Sequence, residues 1–523
     1  MSAVTPDSTI RLLKCPIKLD DHNQITFATV TAQTNYFLSL SYLEDENLTY
    51  IRKDGVIRVG TAYVTYEDLL EYNYVMYQNT HYDNKWFYAY ITNIEYKNDG
   101  MTEISIDTDV YQTWMFEMSF KYSFIEREHV NDDTIGKNTV PENIEHGEYI
   151  ENSVNHNGFG DTIYLLAATT KSNGSNIDGT SKRYGTNVNG IPYSGFVYAF
   201  DNPSGLGALV EAYADGGFTD NIYAVWTASR YSIEGNIPNG QYSDDSAVQV
   251  LQYNVTKPTT INGYTPKNKK VLCFPYRYLL HSNNNGQADI LHYEGWSNAT
   301  TCTFDTYYSA TIGGDSKDVP YNYYGVTSNQ EHAIVGGKYP TLSWSKDLFT
   351  NWLSQNAVNI GIGQATSVLS IVAGAGLLVT GAGTTAGIGL IAGGIGGIAN
   401  SMMTQYQHSF DPTSARGNTN VSGLNIASNE SGYYYYHMSI KSEYAQMIDN
   451  YFTTYGYKVN RIGTPHLHVR TYWDFCKTID CHIAGNIPER DCGKLRELFN
   501  SGCTFWHDTS HFMDYTQNNT IIT

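Results

Sequence analysis

The residue types able to hold a metal or move a proton gather toward the C-terminus. His466 and His468 stand two apart, and Cys476, Cys481, Cys492 and Cys503 follow, with His482 among them. On a strand, residues two apart share a face, so the two histidines would point the same way. The cysteine spacings, however, lack the short paired steps of structural zinc sites. Buried, satisfied side chains are the expectation, with no metal, and the state of the four thiols stays open. A second cluster, Glu126, Glu128 and His129, crowds carboxylates and an imidazole into IEREHV. Strand alternation would send the neighbours Glu128 and His129 to opposite faces, which argues against an acid–base pair. The chain has no phosphate-binding glycine loop, no Gly-x-Ser-x-Gly elbow and no HExxH. No catalytic residue, cofactor or metal site is assigned, and the chain reads as a non-enzyme.

The other chemistry on offer is that of a bilayer. Residues 348–410 contain no Asp, Glu, Lys or Arg, and within them 357–402 reads AVNIGIGQATSVLSIVAGAGLLVTGAGTTAGIGLIAGGIGGIANSM. Uncharged apolar runs longer than about 18 residues are candidates to cross a membrane. The side chains that would meet lipid are Ala357, Val358, Ile360, Ile362, Val368, Leu369, Ile371, Val372, Leu377, Leu378, Val379, Ile388, Leu390, Ile391, Ile395, Ile398 and Met402. Twelve glycines fall between Gly361 and Gly397. That density weakens any isolated helix in water and suits a segment that must change conformation. Gly383 and Gly387, then Gly389, Gly393 and Gly397, recur every fourth residue, which lets helix backbones approach closely in lipid. Division near residues 380–385 leaves halves about 34 and 25 Å long if helical, against a hydrocarbon core of about 30 Å.

Three readings of this block compete. A permanent anchor would carry basic and aromatic flanks, yet Trp344, Lys346 and Trp352 stand on one side only, and Arg416 lies beyond a polar stretch. A helix pair buried in a soluble core is the second. The third, a loop shielded in a soluble assembly and later released into a bilayer, accounts best for the glycines and the mid-chain position.

The elements around the block are mainly strands. Residues 86–96 put Trp86, Tyr88, Tyr90, Ile94 and Tyr96 on one face; Asn98-Asp99-Gly100 follows, and alternation resumes at Thr102, Ile104 and Ile106. Asp-Gly between alternating runs predicts a hairpin with a type I′ turn. Six Asn-Gly pairs between residues 157 and 286 extend the pattern of short antiparallel strands in sandwiches or barrels. Few helices are expected outside the apolar block. One covers 443–455, with Ser442 as N-cap, Gly456 past its end, and Tyr444, Met447, Ile448, Tyr451, Phe452 and Tyr455 on its apolar face. Another covers about 488–500, with Leu495, Leu498 and Phe499 inward and Gly502 closing it. The fold class is therefore mainly β with an α+β C-terminal part. Four regions are expected: a β-rich 1–150, a β-rich 151–340, the hydrophobic insertion and its polar linker 341–431, and an α+β part 432–523.

Thirty-two basic against fifty-two acidic residues give a net charge of −20, which disfavours binding to nucleic-acid backbone or anionic lipid. Seven cysteines in so long a chain argue against a disulfide framework, and MSAVTPDSTIRLLK shows no secretory signal, so folding in a reducing cytoplasm is expected. Forty-five tyrosines are roughly three times a background of about 3% and suit wet, tightly packed strand interfaces.

Three stretches together carry a resemblance: FIEREHVNDDTIGKNTVPENIE at 124–145, KVLCFPYRYLLHSNNNGQ at 270–287, and YGYKVNRIGTPHLHVRTYWDFCKTIDC with GNIPERDCGKLRELFNSGCTFWH within 451–507. In this order, with the apolar insertion between the second and third, the chain resembles the distal tail-knob proteins of short-tailed, picovirus-like (phi29-type) bacteriophages. The resemblance implies β-barrel or sandwich domains assembled as a homohexameric tube at the tip of the tail, attached to upstream tail and collar proteins. Double-stranded DNA would leave through its lumen without specific binding. It also implies that hydrophobic loops, here 357–402, plug the lumen and then enter the host membrane as a pore. The expected trigger for that release is contact with the membrane, aided by low pH acting on a histidine such as His408. A tail-associated enzyme acting on cell wall or surface glycan, and a receptor-binding tail fibre, are the alternatives.

Overall fold

Alternation in residues 86–108 becomes the strands Trp86–Asn98 and Met101–Thr108, paired antiparallel with Asn98 opposite Met101. The hairpin stands where Asp99-Gly100 placed it, but its turn is not type I′. Neither residue has positive φ, and the Asn98 side chain closes the turn by accepting from Gly100 N at 2.8 Å. An Asx side chain thus does locally what two left-handed residues would have done.

The computed structural model describes residues 8–343 apart from short breaks, then 418–420 and 432–522. The insertion residues 344–417, including the whole run 357–402 and His408, lie outside the described residues. The described chain is mainly β and divides into two compact units. One comprises residues 1–147, 264–272 and 442–523, the other 148–263 and 273–441.

In the first unit the hairpin is the centre of a seven-stranded sheet that also holds Ser8–Leu13, Tyr74–Asn79 and Val56–Gly60. A five-stranded sheet places Ser123–Glu128 between Tyr457–Gly463 and Trp473–Asp480, so strands more than three hundred residues apart in sequence are neighbours. Ile10, Leu12, Val75, Phe87 and Ile104 pack with Leu495, Phe499 and Phe505 in one apolar core. Helix Glu489–Ser501 supplies two of these, Leu495 and Phe499, and ends at Gly502 with φ +89°. Leu498 is only half-buried against the same core.

Helix Ser442–Tyr455 ends at Gly456, whose φ of +64° and close backbone approach (a Cβ there would meet Glu128 O at 2.2 Å) both demand glycine. Its buried stripe is Ala445, Ile448, Asp449 and Phe452, while Met447, Tyr451 and Tyr455 are exposed. The stripe is rotated from the expected one because the protein around Asp449 satisfies a carboxylate at the centre of the face. Helices Val30–Ser39 and Pro203–Asp215 interrupt regions read as strand. The first had a local signal: Thr29 caps it by accepting from Ala32 N at 3.1 Å.

In the second unit a four-stranded sheet runs in the order Tyr149–Gly158, Gly432–Ile440, Arg277–Ser282, Ala288–Leu291. Gly432–Ile440 shows where the tyrosines go. Tyr433 and Tyr435 are buried while Tyr434 and Tyr436 are half-buried on the other face. The buried hydroxyls are satisfied: Tyr433 donates to Ser316 Oγ at 2.9 Å and Tyr435 to Asp318 Oδ2 at 2.6 Å. The unit also holds a second four-stranded sheet, starting at Gln249–Thr256, and a six-stranded sheet, with Leu206, Leu209 and Tyr213 of helix Pro203–Asp215 packed in the core of the latter.

Candidate functional site

The edge of that six-stranded sheet is where the insertion begins and ends. Thr341–Ser343 pairs with Ile222–Ser229 on one side and with Asn418–Asn420 on the other. The register sets Thr341 opposite Asn420 and Ser343 opposite Asn418. Antiparallel partners have Cα atoms about 5 Å apart, so residues 344–417 leave and return at one point. The body therefore closes through a strand pair at the root of the insertion. All candidate membrane residues from Ala357 to Met402 and the glycines Gly383, Gly387, Gly389, Gly393 and Gly397 belong to the excursion and lie outside the described residues. Among the described residues no helix is long and apolar enough to cross a membrane.

The polar candidates are placed as parts of the scaffold. Glu128, at the end of its strand, is buried; Arg461 Nε donates to its Oε1 and the His466 backbone N to its Oε2 at 3.1 Å. Glu126 instead pairs with Lys477 at 2.8 Å. His129 turns the other way and is buried, with Phe475 N donating to its Nδ1 at 2.8 Å and its Nε2 donating to Thr453 O at 3.1 Å. Burial lowers its pKa to about 4, against the opposing pull of Asp474 at 3.8 Å from Nδ1. Residues 464–469 form no strand, so His466 and His468 do not share a face as a strand would require: His466 faces Glu128 at 3.7 Å, and His468 lies edge-on to His507.

All seven cysteines are buried and outside any disulfide, including Cys476 and Cys503, which oppose each other across paired strands. Burial raises the Cys481 thiol to about 11 and the Cys15 thiol to about 12. Among the described residues no group of three His, Cys, Asp or Glu is placed to hold a metal ion.

The most connected buried carboxylate, Asp449, was not singled out from sequence. It accepts from Tyr264 Oη at 2.7 Å, Lys267 N at 2.8 Å, and Asn268 N and Nδ2, both at 2.9 Å. It thereby ties the helix to residues 264–268. Its partners lie about 180 positions away, so no local spacing could have announced it.

Comparison with known proteins follows the same architecture. Residues 237–520 match the family described as Bacillus phage phi29, Tail knob protein gp9, C-terminal domain, and residues 6–120 match Caudoviral major tail protein N-terminus. The tail knob protein gp9 of Bacillus phage PZA is 24% identical, and that of Bacillus phage phi29 25% identical, each alignment covering 98% of both chains. The bacteriophage C1 tail knob protein, gp12, has the same fold: TM-score 0.65 at 14% identity, over 98% of this chain and 100% of that one.

Proposed function

Because the chain belongs to the family of phage tail knob proteins typified by the gp9 C-terminal domain, and is thus a structural component of the virion tail, we propose that it forms the distal tube of the tail and carries its own membrane-perforating element in residues 357–402. Six copies would surround a lumen through which double-stranded DNA passes, with the upstream tail and collar proteins holding the proximal end. In the resting tube the six insertions bury one another and block the lumen. On contact with the host membrane they exchange that mutual burial for lipid. Apolar area stays out of water throughout, at about 25 cal/mol per Å², so opening requires no enzymatic step.

The observation that supports this most directly is the root of the insertion. The segment that holds the uncharged run 348–410 leaves and re-enters the sheet through adjacent paired strands, Ser343 opposite Asn418. Such a segment can relocate without pulling apart the body that bears it. The acidic charge of −20 per chain fits a conduit, because a lumen of that sign repels phosphates and lets DNA slide. Negative-stain imaging of purified protein is expected to show sixfold rings or tubes. A monomer at micromolar concentration would remove the tube from this account.

A further inference from the structure

The last residues of the chain fold back on the first unit. Arg470 and Ile521 form an antiparallel bridge, with Thr471 N donating to Thr520 O at 3.0 Å and Ile522 N to Val469 O at 2.9 Å. This leaves a cleft of about 620 Å³, whose lining includes Asp133, Lys267, Lys269, Arg470, Asn518 and Thr520. Its volume is that of a small-molecule site.

Arg470 is the anomaly in this cleft. It is only 7% exposed, its Nε has no hydrogen-bond partner, and among the described residues no carboxylate pairs with its guanidinium. Neither neighbouring acid bonds the guanidinium. Asp133 accepts from Tyr457 Oη at 2.6 Å through Oδ1 and from Lys269 N at 2.9 Å through Oδ2. Asp474 Oδ2 accepts from Val469 N, Arg470 N and His507 Nε2, while its Oδ1, 3.8 Å from His129 Nδ1, makes no hydrogen bond, to the Arg470 guanidinium or elsewhere. Asp133 feels its charge, but among the described residues no carboxylate bonds the fork, and a desolvated guanidinium left unbonded is unfavourable. Its planar fork matches a tetrahedral or planar oxyanion. Lys267 and Lys269 at the exposed rim add positive charge, in a chain that is acidic overall.

We propose that this cleft is an oxyanion site that takes a phosphate group, with Arg470 as its buried anchor and Lys267 and Lys269 as its rim. The site is independent of the membrane-perforating segment. The group arrives either as the free ion or as a phosphomonoester whose organic part fills the remaining space.

The full chain is titrated with inorganic phosphate and, separately, with glycerol 3-phosphate at constant ionic strength, by calorimetry and by melting temperature. Saturable binding at one site per chain is expected at millimolar concentration or below. Binding of both probes assigns the phosphate group alone; binding of the ester only assigns a role to the rest of the cleft. Arg470→Met is expected to weaken binding at least about ten-fold. Without phosphate it should melt no lower than the parent, since a buried unpaired charge is removed. The double variant Lys267→Ala/Lys269→Ala, altered only at exposed positions, should bind several-fold more weakly and keeps the test alive if Arg470→Met fails to fold. No binding of either probe by the parent, or equal binding by the parent and the rim variant, overturns the proposal.

Discussion

Replacing His129 by glutamine should remove a defined part of the acid sensitivity of the first unit. In the fold His129 is neutral and can hardly be otherwise: Nε2 carries the proton given to Thr453 O, and Nδ1 faces the N–H of Phe475. Protonation at Nδ1 would set two hydrogens against each other in a buried site. Burial holds the folded pKa at about 4, against 6.5 for an ordinary histidine. Between these values the unfolded chain binds a proton that the folded chain does not. Stability is therefore lost as pH falls from about 6.5 to about 4, by about 3 kcal/mol in all, with a limiting slope of about 1.4 kcal/mol per pH unit. Buried carboxylates such as Asp109 and Asp133, whose pKa values are raised by burial, act in the opposite sense. They are common to parent and variant, so the difference between the two isolates His129. The assay is urea unfolding at intervals from pH 7 to 4.5, followed by the fluorescence of Trp473 and Trp506, which pack together in this unit. The variant's absolute stability falls through lost packing, so the slope is the quantity to compare. Parallel curves for parent and variant between pH 6.5 and 4.5 would refute the reasoning.

Asp449→Ala leaves the donors of Tyr264, Lys267 and Asn268 without their shared acceptor. It should cost about 3–5 kcal/mol, with hydrogen exchange accelerating first in residues 264–268. Gly456→Ala forces a side chain into a left-handed position against Glu128 O and should cost at least about 2 kcal/mol, seen as a drop in urea midpoint. Since every cysteine is a buried thiol outside any disulfide, a thiol reagent should label none in the native protein at neutral pH and all seven in denaturant. Rapid native labelling of any one would contradict its placement.

Elements whose signals are local were legible before the structure. The helix Ser442–Tyr455 and its glycine terminator follow from periodicity and Gly456, although Ser442, expected as its N-cap, is already helical, and the hairpin at Asp99-Gly100 follows from alternation. What could not be read is whatever depends on distant partners. Asp449 sits on a buried face only because residues 264–268 supply its donors. The strand Ser123–Glu128 takes its neighbours from residues 457–480, so no pattern within 1–150 could reveal the unit it joins. His466 and His468 diverge because Glu128 and His507 claim them separately. For the insertion, sequence named the segment and the structure added its root, the pairing of Ser343 with Asn418.

That root permits a clean excision. Since Ser343 and Asn418 are opposite partners, replacing 344–417 with Asn-Gly closes an ordinary two-residue hairpin and leaves the sheet edge paired. The parent and this variant are compared for release of dye from liposomes, with ring formation checked on the same samples. The account predicts that the variant assembles like the parent and releases no dye, while the parent does. Equal leakage from both would contradict it.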